Sequence, residues 1–563
     1  MTTPTREDAL ALHEAGRLEE AAARYQAILS AHPGDAETLY LLAALRWQQG
    51  RLEDALRHAE ATLALSPGDV ATLSMVGTIH FSSGRHQDAL LAWEAALAEA
   101  PESPRLWSHL GLVYMERGDA KEAIRHHRRA IQLAPTMGEA WYNLGLALQR
   151  NGDRRDAEAT YQVALGFLPG DPDVLNNLGN LYLARDAHEE AADAYEEALQ
   201  AAPARAELHH NLGCARRALG EAIGAVAALR QAIEIAPGYT EAWLQLGIVL
   251  GEEGQLNEAA DAFRAALDQD PRSLMGWIHL GHTFKAMGRE GAALVAYQTA
   301  TRHAPDSAVG YLNLGIAHHN RGEIAEAIAL YRQATELDPE DGAARHLLHA
   351  LTGETPASAP DDYIAELFDQ YAEQYDTHLT ERLRYRTPAQ LRAAVDGAHS
   401  GPLPRGLDLG CGTGLSAAAF ADRVDHFEGV DLSPKMLDAA RARGQYAALH
   451  KAALGTFLQE HGGPAFDLFL AADTFVYVGD LDPIFAGIAR CAAPGALVAF
   501  STERATAGGF LLRETGRFAH SRDYVRQTAE KHGMTVASCE SAPLRQERDR
   551  WIDGDVVILV CAP

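Results

Sequence analysis

The stretch that decides the fold is Gly406-Leu407-Asp408-Leu409-Gly410-Cys411-Gly412-Thr413-Gly414. An apolar run leads directly into G-x-G-x-G and then into the small-residue helical pattern Leu415-Ser416-Ala417-Ala418-Ala419-Phe420. This order predicts a strand, a tight turn and a helix, with backbone that a ligand can approach closely. Glycine permits the turn, and the unpaired amides of the helix start attract negative or carboxylate groups. A second apolar run, His426-Phe427-Glu428-Gly429-Val430-Asp431, ends on an acid seventeen residues past Gly414. A doubly wound fold places there the carboxylate that holds ribose hydroxyls. A dinucleotide site wants G-x-G-x-x-G. Here the spacing is G-x-G-x-G, Asp408 precedes it, and no arginine follows Asp431 closely enough to meet a 2′-phosphate.

Strand and helix patterns alternate onward from this point, as a parallel sheet requires. The fourth strand is expected at Phe466 to Ala472, followed by Asp473-Thr474-Phe475-Val476-Tyr477-Val478 at the carboxyl edge that faces a ligand crevice. A helix is expected over Leu481 to Ala492, a Pro494-Gly495 turn next, then a strand over Ala496 to Ser501.

With LDLGCGTG, GVDLSPKMLDAA and FDLFLAAD in that order, residues 362–563 resemble a class I S-adenosylmethionine-dependent methyltransferase. The resemblance implies an α/β doubly wound, Rossmann-like domain closed by antiparallel last strands around Trp551 to Val560. It implies S-adenosyl-L-methionine as cofactor, held by Asp408, Gly410, Gly412, Gly414, Asp431, Leu432 and Asp473. Tyr363 to His378 resembles the lid of such enzymes, in which Tyr371 and Tyr375 lie over the cofactor; simple packing of both rings on the sheet is the other reading. One position departs from the family. An acid usually follows the third strand to bind the adenine amino group, and His450-Lys451-Ala452-Ala453-Leu454 has alanine at 453. Losing one such hydrogen bond costs about 1–3 kcal/mol.

The sulfonium is already an activated electrophile, so the protein must align the acceptor, exclude water and, where needed, remove a proton. Candidates near the crevice are Asp473, Tyr477 and His520, with Tyr524 beside them. Each has a structural alternative: Asp473 as a helix cap, Tyr477 as core, His520 as a surface-loop histidine. Asp473 to Val478 is not the N-P-P-Y motif of nucleic-acid amino-methyltransferases, which counts against nucleobase substrates.

At 563 residues, 47% hydrophobic and 22% charged, the chain reads as an ordered protein of several domains. The formal charge of −28 opposes polyphosphate, and no local basic patch is evident, so no nucleic-acid partner is expected. The first thirty residues are amphipathic and acidic without an apolar signal core, and no run approaches a membrane span. A cytoplasmic location without a membrane partner is expected. The five cysteines (Cys214, Cys411, Cys491, Cys539 and Cys561) lack C-x-x-C pairing and histidines at ligand spacing, so neither a disulfide framework nor a metal site is expected.

The first two-thirds repeat. Prolines recur every 34 residues from Pro33 to Pro339, and glycines from Gly16 to Gly322, with Asp186 as the exception. Alanines from Ala21 to Ala327 keep the same step. The unit resembles the tetratricopeptide repeat, which Trp107, Leu110, Gly111, Tyr114 and Ala123 match closely. Ten units are read from about residue 2 to 341, the first divergent as a cap, with a closing helix over Ala343 to Leu351. Each unit is two amphipathic helices, the first ended by glycine and the second by proline, and the alanine permits close crossing. Stacked units bury what one cannot, giving an α-solenoid with a concave surface. The expected domains are a repeat superhelix over 1–351, a linker over 352–361, a helical lid over 362–398 and the methyltransferase domain over 399–563.

One polar residue per repeat precedes the Leu-Gly pair: His109, Asn143, Asn177, Asn211, Gln245, His279 and Asn313. Such a row resembles the asparagine ladders by which tetratricopeptide superhelices hold extended peptides, because amide side chains both donate and accept; a solvated helix face is the other reading. The expected function is a methyltransferase whose repeats recruit a protein or peptide as substrate or carrier, with Asn143, Asn177, Asn211, Gln245 and Asn313 as the gripping residues. The competing function is an interaction scaffold with a cofactor-sensing or inactive methyltransferase domain.

Overall fold

The computed structural model describes residues 5–372, 375–377, 379, 383–506, 508–547 and 550–563. Met1–Pro271 form one compact unit and Arg272–Pro563 a second.

The first unit is built of helix pairs, from Arg6–Glu14 with Leu18–Ala31 to Thr240–Glu252 with Leu256–Gln269. Local chemistry sets their ends. The carboxylates of Asp35, Asp69 and Asp171 cap first helices by accepting the amides of Thr38, Thr72 and Val174. The glycines that follow these helices adopt left-handed φ, 72° at Gly50 and 78° at Gly118, and the exceptional Asp186 takes the same conformation at φ 61°. The crossing within a repeat depends on more than the alanine expected for it. A Cβ added at Gly145 would stand 2.4 Å from the Tyr161 ring, and one at Gly247 2.6 Å from Phe263. The second helix therefore lays a ring on bare backbone of the first, while Ala157 and Ala259, fully buried, let the axes approach.

The second unit begins with the helices Leu274–Ala286, Glu290–His303, Ala308–Asn320 and Ile324–Leu337, of the same pattern, and Gly342–Thr352. The lid region contributes Asp361–Tyr371, Tyr375–Thr377 and Thr387–Ala398. A sheet follows, with strands β1 (Leu403–Leu409), β2 (Val424–Asp431), β3 (Ala448–Lys451), β4 (Phe466–Ala471), β5 (Ala492–Arg504), β6 (Phe510–Leu512), β7 (Phe518–His520), β8 (Met534–Glu547) and β9 (Arg550–Cys561). β3-β2-β1-β4-β5 are parallel neighbours, β9 lies antiparallel on β5, and β8 pairs with β9. The order reverses at β1 and β4, so their carboxyl ends part and open a crevice. Alternate strand residues feed two cores, one around Leu407, Phe469, Phe485 and Phe500, the other around Leu391, Phe420, Leu468 and Ile558.

Two stretches differ from their sequence reading. β5 already starts at Ala492, so Pro494-Gly495 is an irregularity within the strand rather than a turn before it; Gly495 has φ 77° and the pairing with β4 shifts register between Phe466 and Leu468. The stretch expected as a linker is packed. The Ala357 carbonyl accepts the amides of Gly479 at 2.9 Å and Asp480 at 2.7 Å, and the amide of the buried Ala359 donates to the Tyr477 carbonyl at 3.0 Å. Small side chains at 357–359 let this extended segment lie against the loop after β4. Just before it, His346 is buried, bonds the Gly516 carbonyl at 2.8 Å and packs on Tyr363 and Phe518. Cys411, Cys491 and Cys561 are buried, while Cys214 and Cys539 are half-buried. No described helix is long and apolar enough to cross a membrane.

The ring-on-backbone crossing makes two glycine substitutions opposite in sign. Gly145→Ala should destabilise by about 1–3 kcal/mol through overpacking against Tyr161. Gly166→Ala, where nothing lies within 4 Å of the new methyl, should stabilise its helix by about 0.3–1 kcal/mol. Urea unfolding of the full chain reads both, and equal effects at the two sites would contradict the packing scheme.

Candidate active site

The turn after β1 is fastened to β2. The amides of Gly410 and Cys411 both donate to the Val430 carbonyl, at 2.8 and 3.0 Å. Asp431, at the end of β2, accepts the Gly412 amide on one oxygen and the Ser433 amide on the other, each at 2.9 Å. Each carboxylate oxygen has a second lone pair left for a ligand hydroxyl. Burial pushes this carboxyl above its ordinary value, and the amides of Ser433 and Gly412 oppose the shift. A Cβ at Gly410 would meet Thr474 at 2.5 Å, so only glycine lets the turn pass under the β4 end.

Asp408 is fully buried on β1. The Tyr446 hydroxyl donates to its Oδ2 at 2.7 Å, and Oδ1 has no hydrogen-bond partner. Burial pushes its carboxyl up to about 7, with the Tyr446 bond opposing and Asp431 adding to the rise. A buried carboxyl oxygen without a donor, beside a glycine turn, fits a ligand that supplies one. Tyr446 escaped the sequence reading because it lies 38 residues from Asp408 and in no motif.

The lid is pinned by acids that the sequence reading passed over. Asp369 accepts the Ser433 hydroxyl and the Lys435 amide, the latter at 3.4 Å, while Asp376 accepts the Thr413 hydroxyl and pairs with Arg443. The two acids lie seven residues apart, a helix-face spacing that was available as a signal. Tyr375 approaches the turn, with Cε1 3.8 Å from where a Gly412 Cβ would stand. Phe368 meets Tyr375 and Tyr477 edge-on at 5.8 and 5.4 Å, and Leu432 joins the same apolar cluster. Burial raises the Tyr375 phenol, and Tyr477, Asp473 and Asp431 add to the shift. Tyr385, also missed, is raised by burial and then by Asp473 and Tyr375. The side chain of Tyr371 lies outside the described residues.

On the opposite side Asp473 is neither a helix cap nor free. It holds φ 55°, and its amide donates to the Ser501 hydroxyl at 2.8 Å, which donates back to Oδ1 at 2.9 Å. Its Oδ2 accepts from buried Arg545 at 2.9 Å; Arg545 also pairs with Glu503, which takes Arg513 at 3.1 Å. Tyr477 is half-buried in the turn Phe475–Tyr477.

His520 requires a correction, since it is neither a surface-loop histidine nor placed as a base. It is fully buried in β7, with Nε2 2.9 Å from the Val478 carbonyl and 3.0 Å from that of Gly479. Burial pushes it down to about 4, the two backbone bonds opposing. The neutral ring therefore donates from Nε2 and braces the loop that carries Tyr477. Tyr524 also braces: its hydroxyl donates to Asp480 at 3.0 Å and accepts the Leu481 amide at 2.8 Å. Ala453 sits just ahead of the helix Leu454–Glu460 and offers no side-chain acceptor.

The residues of the polar row are half-buried, and its five amide side chains bond to their surroundings rather than only to water. Asn143 donates to Ser108 at 3.4 Å, Asn177 to the Tyr142 hydroxyl at 3.2 Å and the Asp173 carbonyl at 3.0 Å, and Asn211 to Asn176 at 2.9 Å. Gln245 accepts from Arg217 at 3.3 Å. In the second unit Asn313 meets His282 at 2.7 Å and donates to the Val309 carbonyl at 2.9 Å. Several of these bonds join one repeat to the one before it. The row is thus part of the stacking interface.

Comparison with known proteins places a Methyltransferase domain model on residues 407–500. Tetratricopeptide repeat models match residues 12–77, 76–137, 114–181, 172–205, 216–278 and 308–341. A ubiquinone biosynthesis O-methyltransferase of Aromatoleum aromaticum is 35% identical over 102 residues, covering 17% of this chain and 43% of the relative. A malonyl-[acyl-carrier protein] O-methyltransferase of Salmonella typhimurium is 30% identical over 139 residues, covering 25% and 53%. The chain thus spans about half the length of the curated relatives it matches. Among solved structures, the tetratricopeptide-repeat protein YrrB aligns at 27% identity and TM-score 0.30, covering 33% of this chain and 95% of that one.

Asp408 sets a pH test. Its folded carboxyl is raised from 3.8 to about 7, so between these values the folded chain holds a proton that the unfolded chain has released. That contribution to stability is full below pH ~4 and is lost at up to ~1.4 kcal/mol per pH unit as pH rises toward 7. Asp408→Asn should therefore gain stability relative to the parent as pH rises across this window, measured by urea unfolding of the ligand-free chain. A pH-independent difference would show that Asp408 is not held protonated.

Proposed function

Because this chain joins tetratricopeptide repeats to a methyltransferase domain, we propose that it transfers a methyl group from S-adenosylmethionine to an oxygen of an acceptor presented by a protein or peptide partner. The observation that carries the reading is the Asp431 carboxylate. It is fixed by the amides of Gly412 and Ser433 with lone pairs to spare, beside an Asp408 oxygen that lacks a donor. The bound cofactor supplies a methyl group already activated on sulfur. Asp431 accepts from the ribose hydroxyls, and Asp408 Oδ1 takes a hydrogen bond from the ligand's amino end. The glycine turn keeps side chains out of the way. Tyr375, on a lid pinned by Asp369 and Asp376, covers the turn and excludes water.

The acceptor side favours an oxygen that arrives already ionised, such as a carboxylate. Asp473 is paired with Arg545, and His520 spends its Nε2–H on the loop, so neither is left as a free base. The O-methyltransferase names of the relatives agree with an oxygen acceptor. A second reading, a scaffold that senses the cofactor without turnover, is favoured by Ala453, which leaves the adenine amino group without the usual acid.

The repeats deliver the partner in this reading. The amide row keeps some capacity for a passing chain, since the Asn177 side-chain oxygen has no partner among the described residues while its Nδ2 spends both hydrogens. Presentation near the crevice raises effective concentration without new contacts.

Transfer is tested by incubating the full chain, a lysate fraction containing its partners and methyl-labelled S-adenosylmethionine. The expected product is an ester whose label is released as methanol by mild base; label retained as an N-methyl group would contradict the oxygen acceptor. Asp431→Ala should weaken S-adenosylhomocysteine binding by about 10–100-fold in calorimetry, the value of one or two charge-assisted hydrogen bonds. Unchanged affinity in a folded variant would remove Asp431 from the site. Replacing Asn143, Asn177, Asn211 and Asn313 together by alanine should abolish partner recovery while leaving S-adenosylhomocysteine affinity intact; recovery of the same partners would assign the row to stacking alone.

A further inference from the structure

The sequence reading found no basic patch in this acidic chain, yet the fold assembles one. Helix Ala120–Leu133 carries Lys121, Arg125, Arg128 and Arg129 on exposed positions against the single acid Glu122. With Trp107 and Ile124 they line a groove of about 390 Å³. Arg125 is paired with Glu122. Lys121, Arg128 and Arg129 make no ion pair among the described residues, although the chain has 77 acidic against 49 basic side chains. Charges clustered without partners repel one another, so the cluster is a standing cost that a bound anion would relieve.

The groove floor is apolar and neutral. Behind it, burial pushes His127 down to about 3 and lowers His126, whose ring lies 5.4 Å from Trp107 and 4.8 Å from Tyr114. The Trp107 indole is oriented by donating to the Pro101 carbonyl at 2.9 Å.

The fold contains its own comparison. Four repeat periods later a groove of about 320 Å³ is lined by Trp243, Asp261 and Ala265, the counterparts of Trp107, Arg125 and Arg129, together with Leu246 and Glu258. There Asp261 stands in place of Arg125 and Ala265 in place of Arg129, and the cation of that groove, Arg230, is paired with Glu258 at 3.0 Å. Both grooves have a Trp wall, and of the two only the one on helix Ala120–Leu133 is lined by cations without an ion pair among the described residues.

We propose that this groove docks an acidic amphipathic segment of a partner protein, its carboxylates on Lys121, Arg128 and Arg129 and an apolar side chain against Trp107 and Ile124. The cations span about 12 Å along the helix, two turns of a facing helix. That length suits a short acidic segment. A nucleic acid needs a longer cationic track, and the chain's net charge of −28 repels it. The site is separate from the amide row, which lies on the first helices of the repeats.

The probe is a fluorescein-labelled 14-residue helical peptide of Glu, Leu and Ala, titrated with the full chain and followed by anisotropy. Saturable binding is expected. It should weaken at least about tenfold in the triple variant Lys121→Glu, Arg128→Glu, Arg129→Glu, and by a similar factor as salt rises from about 0.05 to 0.5 M. Arg230→Glu, in the equivalent groove, should leave affinity unchanged. All replaced side chains are exposed, and thermal unfolding checks that the variants fold. No binding, equal binding by the triple variant, or equal loss in Arg230→Glu overturns the proposal. Tighter binding of a labelled 14-nucleotide single strand assigns the groove to nucleic acid instead, and self-association abolished by the triple variant assigns it to a second copy of the chain; either result also overturns it.

Discussion

Two amide hydrogen bonds to one carboxylate fasten the borders of the crevice to each other. Asp431 takes Gly412 from the turn after β1 and Ser433 from the turn after β2, so one side chain joins the two loops that border the crevice. Ser433 in turn caps the next helix through the Met436 amide and donates its hydroxyl to Asp369 of the lid. Asp376 reaches back to Thr413 beside Gly412. The glycine turn, the second strand and the lid thus share one polar network, and a ligand on Asp431 would contact the group on which all three converge.

The far wall of the crevice follows a different logic. The loop carrying Tyr477 is held from one side by the buried, neutral His520 and from the other by the extended residues 357–359. Arg545 fixes Asp473 nearby. The segment between the last repeat helix and the lid therefore helps to build the far wall of the crevice. This gives the repeats a structural reason to be continuous with the catalytic domain, beyond any delivery of a partner.

Periodicity and glycine placement made the large features legible. A 34-residue step in proline, glycine and alanine specifies paired helices because each residue type acts locally, and G-x-G-x-G after an apolar run specifies strand, turn and helix for the same reason. The Asp186 exception was visible as a substitution, while its left-handed φ of 61° needed coordinates. What sequence could not supply were long-range partners. Tyr446 for Asp408, Arg545 for Asp473 and the two carbonyls for His520 are brought together only by the sheet, and they decide which acid is free and which is spent. His520 was misread because a histidine between arginines looks solvated until β7 buries it. The cationic groove was missed because its four cations are few against an acid excess spread over the whole chain, and only the helix and its neighbouring Trp107 gather them on one groove.

The most direct measurement of the central claim is a calorimetric titration of the full chain with S-adenosylhomocysteine at neutral pH. The expected result is one saturable site per chain with a Kd below about 100 µM, as the Asp431 and Asp408 contacts warrant even without an acid at position 453. Absence of binding heat at several temperatures, with the chain folded by circular dichroism, would contradict it and leave the second domain as a fold without its cofactor.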